Sequence, residues 1–353
     1  MMEKVCHIGP ARNVQGGISS VLCCYRDEFH LPNENFIASY NGSFVRSLPL
    51  LFFVCFKLLL FPSKKFELYQ MHMSSYGSFF RKYLISLCLR IRRKKYMVHI
   101  HGSEFKKFCN TSGKFCKMLL RNYFARACCT ICITPDMKEF LEYFLDDCDS
   151  LKTKVVPNPC RSISVTPENL LNHKLPVKVV FSGRYGHRKG VYDLIRAFDK
   201  ACFTVPAELY LFGDGEVEKV RSAVEKLSRQ KQIHVNSWLE NGEYLQRLKK
   251  YDLLVLPSYS ETFGMSIVEA MGVGLPIISS FSGGIPFVVE RNETGILCEA
   301  GDISALTKAL EKLVNDRDLR IRMGEKGWVR AKKNFSLRVV FNELESIYGE
   351  LCG

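Results

Sequence analysis

Glu261 and Glu269 stand with seven residues between them in the stretch SYSETFGMSIVEAMGVGLPII. An apolar strand, Leu253 to Leu256, runs into Pro257, a polar loop follows, a helix is expected to open near Gly264, and Pro276 starts the next strand. A carboxylate at the C-terminal end of a strand, a glycine at a helix start and a second carboxylate two turns in suit a phosphorylated sugar. Free amides at the helix start attract phosphate, and carboxylates accept hydrogen bonds from hydroxyls. Taken alone, the pair also reads as a loop acid and a solvated helical Glu.

Other strand ends carry the same kind of chemistry. In FSGRYGHRKGVYDLIRAF, Gly183 ends a strand, and Arg184 and Lys189 flank a loop before a helix opening near Gly190. Two cations beside a helix start can hold a diphosphate and stabilise its charge as it leaves. Arg188 is a third cation and His187 an auxiliary. In LFGDGEVEKV, Gly213 and Gly215 permit close backbone approach. Phe263, Gly264 and Met265 offer backbone amides. Gly16-Gly17 follows the first strand but has neither dinucleotide nor P-loop spacing. His99 and His101 share one face of a strand, since side chains alternate. His101, beside Gly102 at the strand end, is the better ligand, His99 the better core residue, and His72 is a further strand-end histidine. Asp147-x-Asp149 follows a helix rather than a strand end and reads as a solvated loop, so no metal site is expected. Cys129-x-x-Cys132 has no second pair and reads as buried strand residues.

The elements that must position these groups alternate strand and helix. Strands are expected at 4–9, 36–40, 66–72, 96–101, 129–134 and 154–158, with helices from Gly16-Gly17 to about Phe29 and over 48–60, 78–93, 115–126 and 135–145. A second cycle of strands follows at 177–183, 207–213, 232–235, 252–257, 276–280 and 295–299, with helices at about 190–203, 216–230, 241–250 and 264–274. The region 302–350 reads as helix. Such alternation implies parallel sheets with helices on both faces. The fold class is therefore α/β with two doubly wound domains, and ligands of such sheets bind at the carboxyl ends of strands.

At 353 residues and 47% hydrophobic content the chain suits two globular domains. The fifteen cysteines, with no secretory leader at MMEKVCHIGP, read as reduced thiols of a cytoplasmic protein. The net charge is +14, and between Lys64 and Arg126 fifteen Lys and Arg stand against two acids, Glu67 and Glu104. Such a field favours phosphates, acidic lipid or nucleic acid. The stretch LPLLFFVCFKLLLF, Leu48 to Phe61, is short of the roughly 20 residues a membrane span needs and reads as a buried helix, with an interfacial helix as the alternative.

The motifs F-x-G-R-x₄-K-G at 181–190, G-D-G at 213–215 and S-E-T-F-G-x₄-E-A at 260–270 resemble those of family 4 retaining glycosyltransferases, which have the GT-B fold. V-P-N-P at 156–159 is similar to the family's connector. The resemblance covers nearly the whole chain and is most specific over 177–300. It implies an acceptor-binding domain at 1–160, a linker at 161–176, a donor-binding domain at 177–335, and a C-terminal helix at 336–353 returning toward the first domain. Arg184 and Lys189 would hold the diphosphate, Glu261 the donor sugar and Glu269 the ribose. The amides near Phe263, Gly264 and Met265, with Gly213, would line the donor. Gly16 and Gly17 would approach the diphosphate, His101 would lie near the reacting face of the sugar, and the base would sit near Val235 to Trp238.

The resemblance further implies a nucleotide-sugar donor, a saccharide or lipid-diphosphate-linked acceptor, no cofactor and no metal, in surface polysaccharide synthesis. The basic segment suits docking to an anionic membrane surface, which would place the protein peripherally on the inner face of the cytoplasmic membrane. A sugar-nucleotide epimerase or phosphorylase of the same fold is the enzyme rival. A nucleic-acid-binding protein is the rival of another class, opposed by the absence of any nucleic-acid module and by confinement of the charge to one segment.

Overall fold

The computed structural model describes residues 2–14, 16–61, 63–146, 151–160, 175–238 and 246–352. The chain divides into two compact units, 1–159 with 337–353, and 160–336. The Asp147–Asp149 motif and most of the 161–176 linker lie outside the described residues.

The first unit is built on a six-stranded parallel sheet: β1 (Val5–Pro10), β2 (Phe36–Tyr40), β3 (Leu68–Met73), β4 (Lys95–Ile100), β5 (Thr130–Cys132) and β6 (Thr153–Val155), in the order β2-β1-β3-β4-β5-β6. Its helices are α1 (Gly17–Glu28), α2 (Phe44–Leu60), α3 (Gly77–Ile91), α4 (Phe105–Thr111), α5 (Lys114–Ala125) and α6 (Pro135–Phe144), joined by the last helix, α13 (Leu337–Cys352). Period-two alternation sorts the strands between two cores. Ile8, Met71, Val98 and Cys132 pack with α2 to α6, whereas Val5, Leu68, Met97 and Ile131 pack with Val21 and Tyr25 of α1 and Phe341, Leu344 and Tyr348 of α13. The order reverses between β1 and β3, which sets the loops after these strands beside each other.

Two expectations about this unit need correction. The apolar run from Leu48 belongs to α2, which starts earlier, at Phe44, and is not a buried helix. Ser47, Leu51, Val54 and Leu58 face inward at helical spacing, while Val45, Phe52, Phe53, Phe56, Leu60 and Phe61 are each more than half exposed. The helix packs on β2 and α3, and no further layer covers it among the described residues. No helix of the described residues is long and apolar enough to cross a membrane. The basic segment is also not wholly a surface: Lys82 is 1% exposed, its ammonium on the Ser39 hydroxyl. Helix α4 was not expected, although Phe105, Phe108 and Cys109 mark its buried stripe. Cys129 and Cys132 are buried, and the described cysteines are free thiols.

The second unit repeats the plan with β7 (Val177–Ser182), β8 (Ala207–Phe212), β9 (Ile233–Asn236), β10 (Leu253–Leu256), β11 (Ile277–Ser280) and β12 (Gly295–Cys298), in the order β12-β11-β10-β7-β8-β9, all parallel. Its helices are α7 (Val191–Lys200), α8 (Val217–Val224), α9 (Met265–Gly272), the short α10 (Ile285–Val288), α11 (Ile303–Asn315) and α12 (Arg317–Asn334). Asp302 and Asp316 cap α11 and α12, accepting from Ala305 N at 2.9 Å and Leu319 N at 2.8 Å. This sheet reverses between β7 and β10, so the Arg184 and Glu261 loops leave neighbouring strand ends.

Burial pushes the Lys82 ammonium down to about 7, and the Arg81 charge adds to the shift. A lowered base binds fewer protons folded than unfolded, so its burial costs stability below pH 7 and the cost fades as pH rises toward 10.5. Lys82→Met is therefore expected to raise the melting temperature most near pH 6 and least near pH 10. A gain that is equal at both pH values in thermal melts contradicts this.

Candidate functional site

Strand β7 ends at Ser182, and the turn Gly183–Gly190 lies against two neighbours. On one side Gly183 N donates to Phe212 O at 3.0 Å and Tyr185 N to Asp214 O at 2.6 Å, with Tyr185 OH donating to Asn236 O at 2.7 Å. A Cβ on Gly213 would lie 2.1 Å from Gly183 O, so only glycine lets the two strand ends meet. Arg184 is exposed, its stem over Gly215, where a Cβ would lie 3.0 Å from Arg184 Cγ. On the other side, Tyr259 N donates to Arg188 O at 2.9 Å and Arg188 Nη1 to Ser260 O at 3.3 Å. The rings of His187 and Tyr259 lie 4.2 Å apart, and Tyr259 OH bonds Asp193 at 2.8 Å. Gly190, at φ 71°, turns the chain into α7, where a Cβ would lie 2.1 Å from Pro257 O.

These contacts bring Lys189 and Glu261 together. The Lys189 ammonium bonds the Glu261 carboxylate directly, and both side chains are mostly buried, at 15% and 13% exposure. Charges taken that far from water need each other, and removing one leaves the other uncompensated. The pair is a cation and a carboxylate at the switch point of the sheet, able to divide between a ligand's phosphate and its hydroxyls.

Gly264, at φ 83°, starts α9, and the Met265 backbone follows at its first turn. Phe263 is 2% exposed, with Phe335 at 5.4 Å and Phe287 at 6.5 Å between ring centroids, so its side chain belongs to the core and only its backbone faces the loop. Glu269 lies on α9 and is half-buried. Trp238, beyond β9, is 43% exposed.

Sequence reasoning missed the loop 281–284. Gly284 N donates to Glu261 O at 3.2 Å, and Gly283, at φ 52°, lies so close that a Cβ would stand 1.9 Å from the same oxygen. Ser279 Oγ donates to Leu256 O at 2.6 Å, and Ser280 to Ser258 O, tying β11 to the loop that carries Glu261. The signal was there: FSGG after PIISS is another strand followed by glycines.

The remaining candidates lie in the first unit. Gly16 and Gly17 are exposed at the start of α1, and a Cβ on either would meet nothing within 4 Å. His101 directly follows β4 and its backbone N–H donates to Met73 O at 2.8 Å. The side chain of His101 lies against His72, Nε2 to Nδ1 at 3.0 Å. Burial holds it neutral, down to about 3. His72 and His99 are 1% and 0% exposed, so both belong to the interior. A Cβ on Gly102 would meet the Ser74 hydroxyl at 2.8 Å, which accounts for the glycine.

Residues 166–329, just under half of the chain, match the family described as glycosyl transferases group 1. N-acetyl-alpha-D-glucosaminyl L-malate synthase of Bacillus anthracis is 34% identical over 161 residues, 45% of this chain and 42% of that protein. The capsular polysaccharide biosynthesis glycosyltransferase CapM of Staphylococcus aureus is 29% identical over 180 residues, 51% of this chain and 47% of its own. The chain thus spans less than half the length of these curated relatives. HepE of Anabaena, solved in complex with UDP, superposes with a TM-score of 0.78 at 16% identity, covering 98% of this chain and 100% of that one. The fold is accordingly the two-domain GT-B fold, each domain Rossmann-like.

Gly283→Ala is expected to destabilise the protein by about 1–3 kcal/mol, the cost of a residue forced into a left-handed backbone against Glu261. Urea unfolding within about 0.5 kcal/mol of wild type would show that this contact is not maintained.

Proposed function

We propose that this protein is a retaining glycosyltransferase that moves a hexose-type sugar from a nucleotide sugar to a saccharide or lipid-diphosphate-linked acceptor, in the synthesis of a surface polysaccharide. The observation that carries the reading is the Lys189–Glu261 pair at the switch point of the second sheet, inside the segment that matches the glycosyl transferases group 1. The UDP complex of HepE makes UDP-sugars the first donors to try.

In this reading Arg184 and Lys189 draw the donor diphosphate, while Glu261 turns to accept from hydroxyls of the sugar and Glu269 from the ribose. The backbone at Phe263, Gly264 and Met265, with Gly213, lines the donor. The bond from the anomeric carbon to the diphosphate breaks with its electron pair on the leaving oxygen. The acceptor oxygen bonds the same face, and its proton passes to the departing phosphate. Fixed cations take the load a divalent metal carries in other transferases, so turnover without added Mg²⁺ or Mn²⁺ equals turnover with them.

Purified Glu261→Ala, and Arg184→Ala combined with Lys189→Ala, are expected to lose about 10²–10³-fold in transfer rate while still melting cooperatively. Near-wild-type turnover in either sinks the site assignment. An epimerised nucleotide sugar formed from donor alone sinks the transferase.

We place the first unit on an anionic membrane surface, as a peripheral protein of the cytoplasmic side. Support comes from α2, α3 and α5, which hold seven Lys and Arg besides the buried Lys82, and no acid. Besides the exposed phenyl rings of α2, Phe80, Leu84 and Ile91 of α3 and Phe115 and Met118 of α5 are open to solvent. Apolar side chains among cations are the composition of an interfacial surface. Phe52→Ser with Phe56→Ser should weaken binding to phosphatidylglycerol vesicles about tenfold or more. Equal sedimentation of variant and wild type removes this placement.

A further inference from the structure

A ladder of polar side chains crosses the first sheet on the face covered by α1 and α13. His7 is the register partner of Gln70, His72 of His99, and His101 stands two residues after His99, just past the end of β4. His7, Gln70, His72 and His99 are at most 1% exposed. One ring nitrogen from each of His72, His99 and His101 lies within 4.8 Å of those of the other two.

The nitrogens divide into two sets. His72 Nδ1 and His101 Nε2 face each other at 3.0 Å. Two ligands of one tetrahedral zinc, each roughly 2.0–2.1 Å from it, stand only slightly further apart. His99 Nδ1 is taken up by the Gln70 amide at 3.0 Å, and its Nε2 is buried without a hydrogen-bond partner. The outward nitrogen of His72, Nε2, rests on His7 Nδ1 at 3.3 Å. Gln70 is itself fixed by the Tyr348 hydroxyl from α13. As placed, the Gln70 amide nitrogen faces His99 Nδ1 and its oxygen accepts from Tyr348 OH; in the other amide orientation Gln70 Nε2 donates to the Tyr348 oxygen and Gln70 Oε1 accepts from His99 Nδ1–H, which leaves the His99 Nε2 lone pair free for a metal. Ligating histidines are held in this manner, the far nitrogen on an amide or another polar group. The rings of His99 and His101 lie 4.0 Å apart between centroids, tilted by 33°.

We propose that His72, His99 and His101 bind one divalent transition-metal ion of the zinc class, with His7 and Gln70 orienting the ligands. Three imidazole nitrogens suit Zn²⁺ or Co²⁺ rather than Mg²⁺ or Ca²⁺, which take oxygen. The test reads metal binding and melting rather than turnover, so its failure is distinguishable from failure of the transferase reading.

The test uses the full chain, stripped with a chelator and titrated with Co²⁺ and Zn²⁺. Cobalt reports which atoms bind it, which matters in a chain with fifteen cysteines. Expected are one Co²⁺ per chain, a visible ligand-field spectrum without a thiolate charge-transfer band, and a rise in melting temperature of about 3–5 °C in excess Zn²⁺. His99→Gln should lower the affinity at least tenfold, and the exposed His30→Gln should not change it. Tyr348→Phe, which only loosens Gln70, should weaken binding about tenfold and keeps the test open where His99→Gln does not fold. A thiolate band, substoichiometric binding by wild type, or unchanged affinity in both His99→Gln and Tyr348→Phe overturns the proposal.

Discussion

Backbone pressed against backbone at the carboxyl ends of β7, β8, β10 and β11 is the constraint on which the second unit depends. Three glycines permit it: Gly213 against Gly183, Gly190 against Pro257 and Gly283 against Glu261. A methyl group at any of them would stand about 2 Å from a carbonyl oxygen. The approach puts Lys189 and Glu261, far apart in sequence, within direct reach, and leaves both with little water. Parallel order supplies the rest. Because the sheet reverses between β7 and β10, the two loops leave adjacent strands on the same edge.

Much of this was legible in the sequence, for identifiable reasons. Buried parallel strands read as unbroken apolar runs, and a strand followed by glycine and a cation marks a turn at its carboxyl end. What failed was the inference from an apolar helix to a buried one. Hydrophobicity counts the side chains of α2 but does not say how many layers exist to cover them. Phe52 at 74% exposure is a fact about an edge, and edges are set by the topology of the whole sheet. Gly283 escaped for a related reason: its partner, Glu261, is met only across neighbouring strands.

The histidines make the same point at finer grain. Alternation put His99 and His101 on one face of a strand, but it gave no account of register. Pairing of β1 with β3 and of β3 with β4 adds His7, Gln70 and His72 to that face and turns two separate candidates into one connected group. His101 therefore cannot be considered as a lone side chain. Its orientation is coupled to His72, that of His72 to His7, and that of neighbouring His99 to Gln70 and Tyr348.

The hydroxyl of Tyr348 sits on a helix whose Val340, Phe341, Leu344 and Ile347 complete one of the two cores of the first unit. Those residues follow all of 160–336 in the chain. During synthesis the second unit, continuous in sequence, has its full complement of strands and helices before α13 leaves the ribosome. The first unit, although made first, must wait with the part of one sheet face that α13 covers still open. Its second core is thus completed only after the second unit has been made, and the waiting part of the face is the one that carries the histidines.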